Sequence, residues 1–108
     1  MASDSIRKVF SEIEKRYKKG VLERDTTFYF TLGDGPGEKW TVKLGKEACE
    51  VKEGKHTENA DCVVKTSPAF LLKMVSEGYV PSAMDFMWGK IKSNDPYRLE
   101  DLKKALGL

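Results

Sequence analysis

The chain has 108 residues, which fits a single domain over residues 1–108. Hydrophobic residues make up 40% of the sequence and charged residues 33%, a balance that excludes both a disordered tail and a membrane-embedded protein. The net charge of +2 is far below the clustered basic excess of nucleic-acid binders, so we expect no nucleic-acid partner.

Few residues are available for catalysis or metal binding. His56 is the one histidine, and it stands in a polar stretch typical of a solvated loop. Cys49 and Cys62 cannot form a disulfide framework, and the polar first ten residues predict no secretory signal, so we expect both thiols to be reduced. These features predict a protein without catalytic residues, metal or cofactor.

The first predicted element is an amphipathic helix over residues 3–19. Its apolar residues recur at the spacing of one helix face: Ile6, Val9, Phe10, Ile13 and Tyr17. Ser3 or Asp4 is suited to cap its start, and Gly20 to end it.

Alternating apolar residues then predict strands at 26–32 and 38–44, joined by a turn at 33–37. The glycines of this turn resemble a phosphate-binding loop, but such loops lead into a helix and this one leads into a strand. A third strand at 47–52 carries charges typical of a sheet edge, and a fourth follows at 60–66.

The second half of the chain is mainly helical in prediction. Ser67 and Pro68 predict the start of a helix that ends near Glu77, before Gly78. A short helix or turn is expected at 82–88, a short strand at 89–93 and a last helix at 96–106. This order favours an α+β domain in which helices cover one face of a single sheet.

One segment is richer in apolar residues than a packed helix needs. Eleven of the 19 positions between Phe70 and Trp88 are large and apolar, and three of the four methionines lie there. Methionine-rich apolar surfaces adapt to variable apolar partners, which favours a pocket or tunnel for an apolar ligand. The alternative is a solidly filled core.

The whole chain resembles the sterol carrier protein type-two family of lipid-binding domains. The matching segments are VFSEIEKRY at 9–17, the hairpin FYFTL…KWTVKL, ADCVVKTSPAFLLKMVSEG at 60–78, and PSAMDFMWGKIK at 81–92. Ser93 stands where the family usually continues with an apolar residue, so we expect a short last strand. The final Leu106-Gly107-Leu108 differs from the peroxisomal address of many relatives, which favours a cytoplasmic location.

This resemblance implies a five-stranded, mostly antiparallel sheet with an apolar tunnel between the sheet and the helices. It also implies that the third strand lies at one edge and the fourth beyond a central first strand, too far apart for a disulfide between Cys49 and Cys62. The implied function is non-enzymatic binding or transfer of a fatty acid, fatty acyl-CoA or sterol-like ligand, without stable membrane insertion. The alternative is a solid-core interaction or accessory domain of a larger lipid-metabolising system. The sequence is compatible with a monomer and with a dimer.

We expect the tunnel to be lined by apolar residues of the sheet, the second helix, the following segment and the last helix. They are Phe30, Trp40, Val42, Phe70, Met74, Met84, Phe86, Met87, Trp88, Leu102 and Leu106. For a carboxylate or phosphate head group, Arg24 is the candidate, because arginine engages carboxylates in two hydrogen bonds. The alternative for Arg24 is a surface pair with Glu23 or Asp25.

Overall fold

The computed structural model describes residues 4–33 and 37–107. Within these ranges the helices are α1 (Asp4–Arg16), α2 (Pro68–Glu77), α3 (Ala83–Met87) and α4 (Arg98–Ala105). The strands are β1 (Thr26–Thr31), β2 (Lys39–Leu44), β3 (Cys49–Glu53), β4 (Cys62–Thr66) and β5 (Ile91–Ser93). The predicted types and order are confirmed, whereas the Ser3 cap and most of the 33–37 turn lie outside the described residues.

The five strands form one mixed sheet in the order β3-β2-β1-β4-β5. The pairs β1–β2, β2–β3 and β4–β5 are antiparallel, and the central pair β1–β4 is parallel. The expected five-stranded, mostly antiparallel sheet is therefore confirmed, with β3 at one edge. The last strand is short, as Ser93 predicted.

The core lies between the sheet and the apolar face of α1. Phe10 of α1 stacks on Trp40 of β2 with ring centroids 4.4 Å apart, and its ring meets Phe30 of β1 edge-on at 5.7 Å. Phe28 and Phe30 alternate with half-buried residues along β1, as predicted. Alternation therefore directs one face of the sheet toward the helices.

Thr41 departs from this alternation, because it is buried although it points to the opposite face from Val42. Its hydroxyl donates to the carbonyl of Gly54 at 2.8 Å and accepts from the backbone N–H of His56 at 2.9 Å. The loop after β3 therefore covers this part of the outer face. His56 itself is exposed in that loop.

The two cysteines are free, as predicted. Cys49 lies in the edge strand β3 and Cys62 in β4, with β2 and β1 between them. Burial raises the pKa of the Cys49 thiol to about 11 and also raises the pKa of Cys62. Because the thiolate is the reactive form, these raised values favour unreactive, structural thiols.

Helix α2 begins and ends at the predicted residues. The Ser67 hydroxyl accepts the backbone N–H of Phe70 at 3.1 Å, and Gly78 closes the helix with a left-handed φ of 70°. That φ lets the chain reverse after α2 and return toward α3. Helix α4 begins later than predicted, at Arg98, because residues 95–98 form a tighter turn, in which the Arg98 N–H donates to the Asp95 carbonyl three residues earlier.

Candidate functional site

An apolar pocket of about 200 Å³ lies where the C-terminal end of α2 meets α3 and α4. Its lining is mainly aliphatic and aromatic, with one acidic and one basic side chain. The lining residues are Met74, Val75, Tyr79, Val80, Pro81, Phe86, Pro96, Tyr97, Leu99, Glu100, Leu102, Lys103 and Leu106. Convergence of apolar side chains with few polar groups is typical of small-molecule sites.

The local sequence accounts for the position of this pocket. Gly78 ends α2, and the segment 79–81 then crosses to α3 without regular structure. Leu99 and Leu102 on α4, together with Leu106 directly after it, form the opposite wall. The pocket therefore lies between the C-terminal end of α2, the segment through α3 and one face of α4.

Helix α3 is held in place by a network around Asp85. The Asp85 carboxylate accepts the Tyr79 hydroxyl at 2.6 Å and the backbone N–H of Ser82 at 2.8 Å. The Ser82 hydroxyl in turn accepts the backbone N–H of Asp85, which completes a capping box. These contacts fix Tyr79 and α3, both of which contribute to the pocket wall.

The same hydrogen bonds favour the charged form of Asp85. The Tyr79 hydroxyl, and then the Ser82 backbone N–H, lower the pKa of the Asp85 carboxyl below its usual 3.8. The pKa of Tyr79 is raised, chiefly because its hydroxyl donates to Asp85.

We expect this pair to make stability depend on acid. The pKa of the Asp85 carboxyl is lower in the folded protein than in the unfolded chain, where it is near 3.8. The charged carboxylate therefore stabilises the fold above pH 3.8, and this stabilisation is lost as the pH falls through the lower, folded-state pKa. Asp85→Asn should therefore have a flatter stability profile than the wild type between about pH 5 and pH 2. Denaturant unfolding at several pH values measures this slope.

Tyr79→Phe provides the matched variant, because it removes the main hydrogen bond and leaves the carboxylate. Its acid slope should fall between those of the wild type and Asp85→Asn. Identical slopes in all three proteins would show that Asp85 carries none of the acid dependence.

The structure brings four of the sequence-predicted site residues into this pocket: Met74, Phe86, Leu102 and Leu106. Phe30 and Val42 are instead fully buried in the core, and half-buried Trp40 stacks on Phe10. The continuous tunnel between sheet and helices therefore stays a prediction, as the pocket is lined by only part of the predicted set. The assignment of these core residues to ligand binding stays a prediction.

The remaining predicted residues lie outside the pocket. Phe70 packs edge-on against Tyr79 at 5.6 Å, whereas Met84, Met87 and Trp88 are exposed by 48%, 74% and 66%. Arg24 is exposed in a separate groove beside Asp101 and Lys104, on a different face of α4. Its role with a head group also stays a prediction.

Sequence reasoning did not single out the residues at the turns. Tyr79 and Val80 belong to the apolar-rich segment, and Leu99 belongs to the predicted apolar stripe of the last helix. The sequence therefore contained a signal for each of these three residues. Pro81 and Tyr97 carried no such signal, because they contribute to the wall only through the path of the loops.

Comparison with solved structures places the fold among known domains. The stereoselective inverting sec-alkylsulfatase from Pseudomonas sp. aligns with a TM-score of 0.71 and 16% identity, over 87% of this chain. This chain spans only 15% of the length of that enzyme. Sterol carrier protein 2 like 2 from Aedes aegypti aligns with a TM-score of 0.54 and 14% identity, over 90% of this chain and 91% of its own.

A ubiquinone synthesis protein, UbiJ, aligns with a TM-score of 0.53 and 13% identity, over 96% of this chain and 74% of its own. At such identities these likenesses show the fold alone. A comparison with curated protein sequences gives no significant match. The described helices include none that is long and apolar enough to cross a membrane.

A family model gives the more direct result. The model of the SCP-2 sterol transfer family matches residues 10–93, from the middle of α1 to the end of β5. Since this segment holds the complete sheet together with α2 and α3, the chain belongs to the SCP-2 sterol transfer family.

Proposed function

We propose that the domain binds the hydrocarbon part of a lipid, such as a fatty acid or fatty acyl group, in the pocket between α2, α3 and α4, without catalysing a reaction on it. The observation that carries the proposal is the pocket itself. It is an apolar space of about 200 Å³ beside a core of buried apolar side chains. Membership of a sterol transfer family supports a lipid as the class of ligand.

The driving force is the removal of apolar surface from water. Each buried methylene contributes about 0.8 kcal/mol, so ten methylenes give about 8 kcal/mol, equivalent to micromolar binding. The pocket is smaller than the roughly 300–1,000 Å³ of typical small-molecule sites. A long acyl chain therefore requires side chains at the wall to move, and flexible Met74 and exposed Tyr97 are suited to this.

Two cations near α4 are candidates for an acidic head group. Lys103 lies on the pocket wall one turn from Glu100, and it is the basic residue of the described pocket lining. Arg24 lies in the separate groove beside Lys104. We assign the head group to Lys103 in the pocket and keep Arg24 as the sequence-based alternative, which comparison of Lys103→Gln with Arg24→Gln separates.

Met74→Phe tests the proposal directly. Met74 lines the pocket, so a larger side chain should fill empty space, leave the free energy of unfolding nearly unchanged or raise it, and reduce lipid binding by about tenfold or more. The measurements are denaturant unfolding of lipid-free protein and titration with palmitate.

Leu71→Phe is the matched control. Leu71 lies on the same helix but is fully buried outside the pocket lining. Overpacking there should lower the free energy of unfolding by about 1–3 kcal/mol. If Met74→Phe destabilises the protein as Leu71→Phe does and leaves palmitate binding intact, the pocket is ordinary core and the proposal fails.

A second function is favoured by one comparison. Because the domain aligns with only 15% of a sulfatase, the same fold occurs as a small part of a larger enzyme. The alternative is therefore an accessory domain with a solid core in a lipid-metabolising system. Native mass spectrometry of protein purified without detergent separates the two, since bound lipid favours the pocket and its absence, together with a flat palmitate titration, favours the accessory role.

A further inference from the structure

Helix α3 has two different faces. Phe86 and Asp85 point inward, to the pocket wall and to the Tyr79 network. Met84 and Met87 are three residues apart on α3, and Trp88, which caps the C-terminal end of α3, is four residues after Met84, so the three lie together on the outward face. We call these three residues the outer α3 face. Their exposed fractions of 48%, 74% and 66% make it a concentrated apolar surface.

Basic residues border this face. A groove beside it is lined by Lys65, Lys73, Lys90 and Lys92, together with Gly89. Among the residues that the structure describes, the groove lining includes no acidic side chain, although the carboxylate of Glu38 reaches Gly33 at the groove edge. The Lys90 ammonium lies 5.4 Å from the centre of the Trp88 ring. Positive charge therefore begins directly beside the exposed tryptophan.

We infer that the outer α3 face docks on the surface of a membrane that contains anionic lipids. Tryptophan is favoured at the boundary between water and the apolar layer, and methionines can enter the outer acyl region. Lysines beside them are attracted to the negative surface, each contributing about fivefold to the partition constant.

The size and charge of the patch favour a lipid surface over a protein. Three apolar side chains fall well short of the roughly 20–30 residues per side of a standard protein interface. A symmetric pair formed through this face would bring the basic borders of both copies into one interface, which is unfavourable. A membrane needs no shape complementarity, so a small apolar face with a basic border is sufficient.

The position of this face relative to the pocket adds a consequence. Val80, 52% exposed, precedes α3 and lines the pocket, while Phe86 lines it from the inner face of α3. Docking would bring the pocket wall next to the lipid phase. This consequence depends on the proposed function, whereas the docking itself does not.

Co-sedimentation with vesicles tests the inference. The wild type should bind vesicles of phosphatidylcholine and phosphatidylserine at low ionic strength, and bind phosphatidylcholine vesicles much more weakly. Lys90→Gln/Lys92→Gln should weaken binding to the anionic vesicles about 30-fold. Met87→Ser/Trp88→Ser should weaken it at least about tenfold.

Matched controls change the same chemistry elsewhere. Lys43→Gln/Lys46→Gln removes the same charge on β2 and in the β2–β3 turn, and Val21→Ser/Val63→Ser removes exposed apolar groups away from α3. Both should bind anionic vesicles within about twofold of the wild type. Equal losses in controls and α3 variants, or no binding to anionic vesicles, would overturn the inference.

Two further measurements separate the remaining outcomes. Sedimentation velocity of the wild type and of Met87→Ser/Trp88→Ser detects a second copy, and a dimer lost in this variant without vesicle binding would mark the face as a dimer interface and overturn the membrane inference. Palmitate titration without vesicles tests the proposed function separately. If palmitate does not bind but the protein still binds anionic vesicles, the proposed function fails and the docking inference holds.

Discussion

Phe10→Ala is expected to lower the free energy of unfolding by about 3–5 kcal/mol, the usual range for removal of a buried aromatic ring. Phe10 is almost completely buried and joins α1 to two strands, since it stacks on Trp40 and meets Phe30 edge-on. The loss combines a cavity with two aromatic contacts. Denaturant unfolding followed by tryptophan fluorescence measures it, because Trp40 reports the same contact.

Two other substitutions on α1 show whether this loss is specific. Phe10→Leu keeps an apolar side chain and should lose roughly half as much stability or less. Lys8→Ala, at an exposed position, should change stability by no more than about 0.5 kcal/mol. If Phe10→Ala loses less than about 1 kcal/mol, α1 does not hold the sheet through this residue.

The repeat of apolar residues along the chain, together with the residues typical of turns and helix ends, was sufficient to predict most helices and strands. The stripe Ile6, Val9, Phe10 and Ile13 predicted α1 because it repeats at the helical period, and alternation over 26–32 predicted β1. Local patterns do not report which distant strands pair. The position of β4 beyond β1 was therefore implied only by the family resemblance, and the parallel direction of this pair was not predicted.

The candidate site was less predictable, for two physical reasons. Period-two alternation places Phe30 and Val42 on the helix-covered face but does not say whether a ligand or other side chains meet them there, and in the structure they are packed in the core. The apolar excess after Phe70 also divides between two surfaces. Met74 and Phe86 face the pocket, while Met87 and Trp88 face solvent. The amino-acid composition of the segment does not distinguish these two arrangements.

A substitution in the pocket wall formed by α4 is expected to change which fatty acid binds best. Leu102 is almost completely buried and lines the pocket, so Leu102→Ala should lower the stability of the lipid-free protein by about 2–5 kcal/mol and lengthen the pocket by several carbon positions. Each additional methylene buried there is worth about fourfold in affinity. The preferred fatty acid should therefore become longer by about two or three carbons.

Leu44→Ala separates this change of preference from destabilisation in general. Leu44 is a fully buried leucine in β2 and does not line the pocket, so its removal should lower stability by a similar amount. Its ranking of fatty acids from about eight to eighteen carbons should match that of the wild type, because the pocket wall is unchanged. Titration of the three proteins with the same series, at a temperature where all are folded, gives the comparison. An unchanged ranking in Leu102→Ala, with the expected loss of stability, would place Leu102 in the core and move the ligand away from α4.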